Sequence, residues 1–208
     1  FKLKKKMLKQ QKKLLKQQES MKLEKKTKRE SYEIKIRKDT INRVEKKLEE
    51  KRLEAKKILM KDDIKREDLE KVKRIIIYSK KKSMLIISEM NNEIYNEESI
   101  KILLNELIVG MSSLNIEGLV VVKNKMNIKG RIMSYLYDIV YELIENSKNN
   151  AVMIYVFSNN NMVNLKAVIG TNKKIKDKLK LDSNIKVKEK IYDTDTELIF
   201  TIKDSDKL

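Results

Sequence analysis

The chain has 208 residues, 49 Lys and Arg against 31 Asp and Glu, and a formal net charge of +18. It contains no Cys, His, Pro or Trp. These absences exclude a disulfide framework, the usual zinc ligand sets, a Cys nucleophile, a Ser-His-Asp triad and any phosphohistidine.

The charge is concentrated at the start. Residues 1–60 carry 23 Lys and Arg against 9 Asp and Glu; residues 61–208 carry 26 against 22. The first sixteen residues hold eight Lys and no acid. Three readings stand: a solvated helix face, a nucleic-acid arm, or a juxtamembrane segment held at an anionic cytoplasmic leaflet, where each basic residue contributes about 1 kcal/mol. The chain opens at Phe1 and reads as a fragment, which favours the third, because Lys-rich segments follow membrane spans on the cytoplasmic side. Nucleic-acid binding adds aromatic stacking groups, and Phe1 and Tyr32 are the only aromatics in residues 1–60. No run approaches the ~18 apolar residues of a membrane span.

Residues 1–60 lack Gly and Pro and are rich in Lys, Glu, Leu and Gln, which predicts a long helix. Met7, Leu14 and Met21 recur every seven residues, and the register breaks near Lys28. From Ile34 a clearer heptad places Ile34, Ile41, Leu48 and Ala55 at one seam position. Val44 and Ile58 occupy the other, weakened by Arg37 and Lys51. Such a stripe faces a partner helix. Lys61-Asp62-Asp63 breaks the pattern, and either Asp could cap a second helix. That helix carries Leu69, Ile76, Ser83 and Met90, interleaved with Val72, Ser79 and Ile86. Residues 1–33 therefore read as a basic juxtamembrane-like helix and residues 34–92 as a helical dimerisation hairpin. Two hairpins would form a dimeric four-helix bundle.

Residues 95–208 read as a separate α/β domain. Asn96 caps a helix opening on Glu97-Glu98. Leu119–Val122 reads as a short buried strand. A helix over about 131–148 follows, ended by Asn149-Asn150. Ala151–Phe157 and Met162–Ile169 form one hairpin around residues 158–161. Lys173–Leu181 suggests a short basic helix. Ile185–Tyr192 and Glu197–Ile202 form a second hairpin around Asp193-Thr194-Asp195. The fold class is α+β: a long helical hairpin or coiled coil, then a mostly antiparallel sheet with helices on one face, a two-layer α/β sandwich.

The most specific candidate site is Tyr141-Glu142-Leu143-Ile144-Glu145-Asn146-Ser147. Glu142 and Asn146 are four apart and share a helix face. A carboxylate there could act as a general base while the carboxamide oxygen ligates Mg²⁺. The alternative is a solvated pair near a helix end.

Glu142 to Ser147 resembles the N-box of the GHKL ATPase superfamily, which includes sensor histidine kinases. The element order of residues 95–203 resembles the catalytic ATP-binding domain of those kinases, and the hairpin resembles their dimerisation and phosphotransfer domain. Tyr78-Ser79-Lys80-Lys81-Lys82-Ser83-Met84-Leu85 resembles a Tyr-x-Lys-Arg-Arg-Ser-Asn-Leu stretch of divergent Firmicutes kinase-like proteins. Asn105-Glu106-Leu107 to Leu119 and the Tyr137-to-Glu145 segment follow in the order of that group. The resemblance covers about residues 35–205 and implies ATP and Mg²⁺, with Glu142 as base, Asn146 on the metal, and Asn146, Asn149 and Gly170 around the nucleotide.

The departures are specific. The family phosphorylates a His on the first hairpin helix, and here Ile36-Arg37-Lys38-Asp39-Thr40-Ile41-Asn42 offers Arg37 or Lys38 instead. The family's Asp-x-Gly-x-Gly loop is replaced by Gly170-Thr171-Asn172-Lys173, so its Asp is gone. A second glycine-rich box, which would hold phosphates at a helix start, is also missing. The expectation is a degenerate transmitter of a membrane sensor, on the cytoplasmic side of the membrane. It would be a homodimer through 34–92, touch an anionic membrane through 1–30, and contact a response regulator or another signalling protein. The competing expectation is a basic nucleic-acid-binding or ribosome-associated protein with a helical arm.

Overall fold

A computed structural model describes residues 2–123, 125–159 and 162–203, with side chains from Ser20 onward. The side chains of the lysines of the first sixteen residues and of the heptad positions Met7 and Leu14, together with Phe1 and Asn160-Asn161 of the first hairpin's turn, therefore lie outside what is described. The chain divides into two compact units, residues 1–46 and 47–208.

The first unit belongs to helix α1, Lys2–Leu59. Its described surface mixes exposed apolar side chains with ion pairs one turn apart, Glu24 with Lys28 at 2.7 Å and Lys26 with Glu30 at 3.9 Å. The predicted seam residues Ile34 and Ile41 are 66 % and 57 % exposed.

In the second unit, the end of α1 meets α2, Arg66–Met90. Ile58, Val72 and Ile75 form a small apolar cluster with Ala55 against it. The rest of the expected seam is mixed: Ile86 is buried, Leu48 packs against the main core, and Leu69 and Ile76 remain 53 % and 60 % exposed. Asp62 and Asp63 do not cap α2. The helix begins at Arg66, and Asp68, in its first turn, accepts the backbone N–H of Lys65 at 3.1 Å and pairs with Lys61 at 2.5 Å. A carboxylate in the first turn satisfies an orphan donor and meets the positive end of the helix dipole.

Strand β1, Ile94–Asn96, leads into α3, Glu97–Gly110, where the Asn96 side chain accepts the Ser99 N–H at 2.9 Å as expected of a cap. A single 3₁₀ turn, Ser112–Leu114, precedes β2, Glu117–Lys123. Strand β3, Asn127–Lys129, pairs antiparallel with β1 in a small sheet that the sequence reading missed. Its three residues are too few to show a period-2 pattern.

Helix α4 runs Gly130–Glu145, ending earlier than expected. Asn146 is its C-cap, and Asn149 sits beyond the helix in the left-handed region at φ 63°, which Asn tolerates. Apolar and tyrosine side chains from Ile132 to Ile144 are buried almost all round the helix. A helix apolar on every side needs partners on every side. One stripe, Ser134, Asp138, Tyr141 and Glu145, meets α2 through Lys82, Tyr78 and Arg74. The opposite stripe, Ile132, Leu136, Ile139 and Leu143, belongs to the main core together with the sheet.

The sheet holds β2, β4 (Ala151–Asn159), β5 (Met162–Ile169), β7 (Thr196–Lys203) and β6 (Ile185–Ile191), in the order β2-β4-β5-β7-β6. β2 and β4 are parallel and the rest antiparallel. The parallel pair is joined through α4, as a crossover requires. Alternation is strict: Val152, Ile154, Val156, Leu165, Ala167, Ile169, Leu198, Phe200 and Ile202 point into the core. Each Val, Ile, Leu or Phe among them contributes about 1.5–3 kcal/mol on burial. Among the described residues the opposite face carries no helix. β2 is therefore an open edge strand with only Val120 fully buried, not the buried strand expected from its run of valines. The basic helix expected over 173–181 is one 3₁₀ turn, Lys176–Lys178.

Candidate functional site

The C-terminal half of α4 is where the expected site residues fall, and the structure separates them. Glu142 is 7 % exposed. Its Oε1 receives the Lys51 ammonium at 3.2 Å and its Oε2 accepts the backbone N–H of Lys180 at 3.2 Å. Lys51 also lies over the Tyr141 ring, 4.6 Å from its centroid, and 3.8 Å from Glu54. Lys180 pairs with Glu50 at 3.3 Å, which raises its pKa. Burial works to raise the Glu54 pKa, but the hydrogen bond from Lys71 and the charges of Lys51, Lys71 and Lys180 outweigh it and hold the carboxyl below its ordinary value. Glu142 thus ties the end of α1 to the segment following β5. Glu50, Lys51, Tyr141, Glu142 and Lys180 line a small cavity of about 120 Å³ with Lys47, Tyr78, Asp138 and Asp182.

Asn146 turns elsewhere. Its Nδ2 donates to the Glu142 carbonyl at 2.8 Å, closing the last turn of α4. Its side chain lines a separate hollow of about 430 Å³ with Asn149, Asn150, Thr171, Lys173 and Lys178 among others. Asn149 is thereby brought beside Asn146. Gly170 is not: it borders a third hollow, on the outer face of the sheet. A Cβ at Gly170 would meet only Ala151 backbone at 3.8 Å, so nothing local demands a glycine there.

The Asn146 hollow does not suit Mg²⁺. That cation needs an octahedral shell of oxygens, usually including one or two carboxylates. Here the carboxylate on the rim, Glu145, is engaged by Arg74 at 2.8 Å, and Lys148, Lys173 and Lys178 surround the amides. Among the described residues no group of three or more acidic side chains is placed to hold a metal. Lysines beside carboxamides favour an anion instead. Ile175 is the only large apolar side chain in the described lining, so an adenine has little to stack on.

The α2–α4 interface carries the polar residues that sequence reasoning missed. Lys82 is 4 % exposed and donates to Ser134 O at 3.0 Å, Ser134 Oγ at 2.6 Å and Asp138 Oδ2 at 2.5 Å. Burial pushes the Lys82 ammonium below the ordinary lysine value, with the Asp138 charge and hydrogen bond opposing. The Tyr78 hydroxyl donates to Asp138 Oδ1 at 2.7 Å, and its ring lies 4.2 Å from that of Tyr141. Arg74 donates to Glu145 at 2.8 Å and to Ser113 at 3.1 Å. The order Arg74, Tyr78, Lys82 against Glu145, Asp138, Ser134 makes the two helices antiparallel. The stretch Tyr78–Leu85 thus presents Tyr78 and Lys82 to α4. A legible signal existed: steps of four on α2 match steps of three and four on α4.

No protein-family model matches the chain. No curated protein matches it either. Among solved structures it is similar to histidine kinase domains. The Acinetobacter baumannii histidine kinase AdeS shares 9 % identity, covering 80 % of this chain and 98 % of that one, with a TM-score of 0.44. The catalytic domain of the histidine kinase ThkA shares 15 % identity, covering 54 % and 96 %, with a TM-score of 0.41. The Erythrobacter litoralis EL346 blue-light activated histidine kinase shares 9 %, covering 82 % and 64 %, with a TM-score of 0.46.

Proposed function

We propose that the chain is the transmitter part of a histidine kinase-like sensor protein, with a GHKL-type domain that signals through helix packing and not through phosphoryl transfer to a His. The observation that carries this reading is the double engagement of Glu142. Both carboxylate oxygens are used, one by α1 and one by the segment after β5. A general base at that position would first have to release Lys51. A carboxylate so held transmits a displacement of α1 to residues 171–184. The motif order from Tyr78 to Asn146 supports the family assignment, and the absence of His supports the loss of self-phosphorylation.

In this reading a homodimer forms through residues 34–92, whose exposed Ile34, Ile41, Leu69 and Ile76 await a second copy. The basic residues of 1–30 lie against an anionic membrane on its cytoplasmic side, and a response regulator or another signalling protein receives the output. The Asn146 hollow takes an anion without requiring bound Mg-ATP.

Two measurements test it. Lys51→Met and Glu142→Gln should each raise amide exchange in residues 171–184 by roughly tenfold or more, since a hydrogen bond to a charged group contributes about 1.5–3 kcal/mol. Calorimetric titration with Mg-ATP should show no binding that Asn146→Ala removes. Measurable Mg-ATP affinity lost in Asn146→Ala, with unchanged exchange in the Glu142 variant, would overturn the proposal in favour of an active ATPase site.

A further inference from the structure

The open face of the sheet is a second candidate site, independent of α4. The strand register sets its side chains in rows. Tyr155 stands between Val121 and Lys166, and Phe157 between Lys123 and Asn164. The same rows end on β6 at Lys188 and Lys186. The face therefore carries Leu119, Val121, Met153 and the two aromatic rings between Glu117 and Lys123 on β2 and the lysines of β6. The neighbouring row, through Leu119 and Met153, adds Lys190 and one acid, Glu197, which is paired with Lys166 at 2.6 Å.

Two neighbouring hollows lie on this face. One, of about 540 Å³, is lined by Lys123, Tyr155, Phe157, Lys166 and Val168. The other, of about 750 Å³, shares Tyr155 and Val168, extends to Leu119 and Met153, and has the carboxylates of Glu117 and Asp195 on its lining, so the polyanion track is placed on the first hollow. Tyr155 and Phe157 are alternate residues of one strand, so their rings stand on the same side about 6.6 Å apart along it. Lys123 on β2 and Lys166 on β5 bracket the pair, and Lys123 lies 5.2 Å from the Tyr155 ring centroid.

We infer that this face binds single-stranded nucleic acid, with bases on Tyr155 and Phe157 and phosphates along Lys123, Lys166 and the lysines of β6. Aromatic side chains that stack successive bases beside a positively charged track are the physical requirements for such binding. A membrane surface is a poorer fit, for two reasons. The aromatic rings are half-buried and line a hollow. Beyond β4 the Phe157 row is polar, with Asn164 and Thr201 hydrogen-bonded to each other at 2.9 Å.

The test uses the full chain, so that the basic residues 1–60 are present in every variant. Fluorescence anisotropy with a short labelled single-stranded oligonucleotide should show Tyr155→Ala and Phe157→Ala each weakening binding by about 5- to 150-fold, the range for losing one stacked base. Phe157→Leu keeps an apolar side chain of similar bulk and should weaken binding as much as Phe157→Ala. Because the chain has no Trp, Tyr155→Trp supplies a single reporter, whose fluorescence the oligonucleotide should quench. Equal affinity in wild type, Phe157→Leu and Tyr155→Ala would overturn the inference and assign any binding to the basic helix. Fluorescence of the Tyr155→Trp variant that stays unquenched by the oligonucleotide and shifts to the blue on phosphatidylserine vesicles would overturn it in favour of a membrane.

Discussion

Two apolar stripes, residues 34–46 of α1 and residues 74–85 of α2, look alike as patterns and end differently. Along the first, Ile34, Ile36 and Ile41 are 66 %, 45 % and 57 % exposed. Along the second, Ile75, Tyr78 and Leu85 are buried, and so are Arg74 and Lys82. Both stripes are interrupted by charge, at Arg37 in the first and at Arg74 and Lys82 in the second, but only the second is buried. Its charges are accommodated because α4 presents Glu145, Asp138 and Ser134 at matching steps. Among the described residues the isoleucines of the first stripe stay exposed, however regular their period.

The largest expected effect breaks the α2–α4 match. Asp138→Ala leaves the Lys82 ammonium buried with only the Ser134 oxygens, and removing one partner of a buried pair costs about 3–5 kcal/mol. Urea unfolding of the full chain measures it. A loss below ~1 kcal/mol would mean that the pair is as weak as a surface one. Adding Lys82→Met should restore much of the loss, because an apolar isostere needs no counter-charge.

Gly130 is the next lever. It stands where α4 starts against the end of α2, and a Cβ there would come within 2.9 Å of Glu89 N and 3.0 Å of Ser88 C. Backbone cannot yield as a flexible side chain can, so Gly130→Ala should cost about 1–3 kcal/mol by overpacking. Gly170→Ala, with 3.8 Å of clearance, should stay within ~0.5 kcal/mol. Equal losses from both in urea unfolding would remove the close approach as the reason.

The buried stripe also predicts a pH dependence. Burial, then Asp138, pushes the Tyr78 hydroxyl up; burial with Glu106 does so for Tyr137, and burial with Glu145 for Tyr141. In the unfolded chain these groups ionise near pH ~10, while in the folded chain they keep their protons. Their contribution is fully present below that pH and falls above it by about 1.4 kcal/mol per pH unit for each tyrosine. Lys82, with its folded pKa depressed, has the opposite sign: stability rises with pH until the unfolded lysine titrates near ~10.4. Stability should therefore turn over near pH ~10. Tyr78→Phe should make the alkaline fall about a third shallower. An unchanged slope would show that Tyr78 is not the titrating group.

Much of this fold was legible in the sequence, and the parts that were not have physical reasons. The hairpin β4–β5 and the cap at Asn96 follow from alternation and from one side-chain oxygen at a helix start. β1 and β3 were too short to carry a period. The end of α4 was misplaced because Asn146 and Asn149 both have end-of-helix chemistry, and only the backbone says which one caps. For the site, the i,i+4 spacing of Glu142 and Asn146 held, but spacing fixes only that Cβ atoms share a face. It could not show that the carboxylate is taken by Lys51, 91 residues away in sequence, while the amide folds back on its own helix. The open sheet face was equally hidden, since Tyr155 and Phe157 meet Lys123 and Lys166 only after strands pair.

The smallest effect on the chain's own stability is the sharpest test of the unpaired stripe. Ile34→Ser and Ile41→Ser touch exposed side chains, so the unfolding of residues 47–208 should shift by no more than ~0.5 kcal/mol. The proposed dimer should respond differently. Two seam positions that bury isoleucine against a second copy each forgo about 1.5–3 kcal/mol when made polar. The double variant should therefore sediment as a monomer at concentrations where the wild type associates. Two results would remove the stripe's assigned role: a wild type that is already monomeric at micromolar concentration, or a double variant that associates as well as the wild type. Loss of association with unchanged unfolding would set the two stripes apart by the partner each was built to meet.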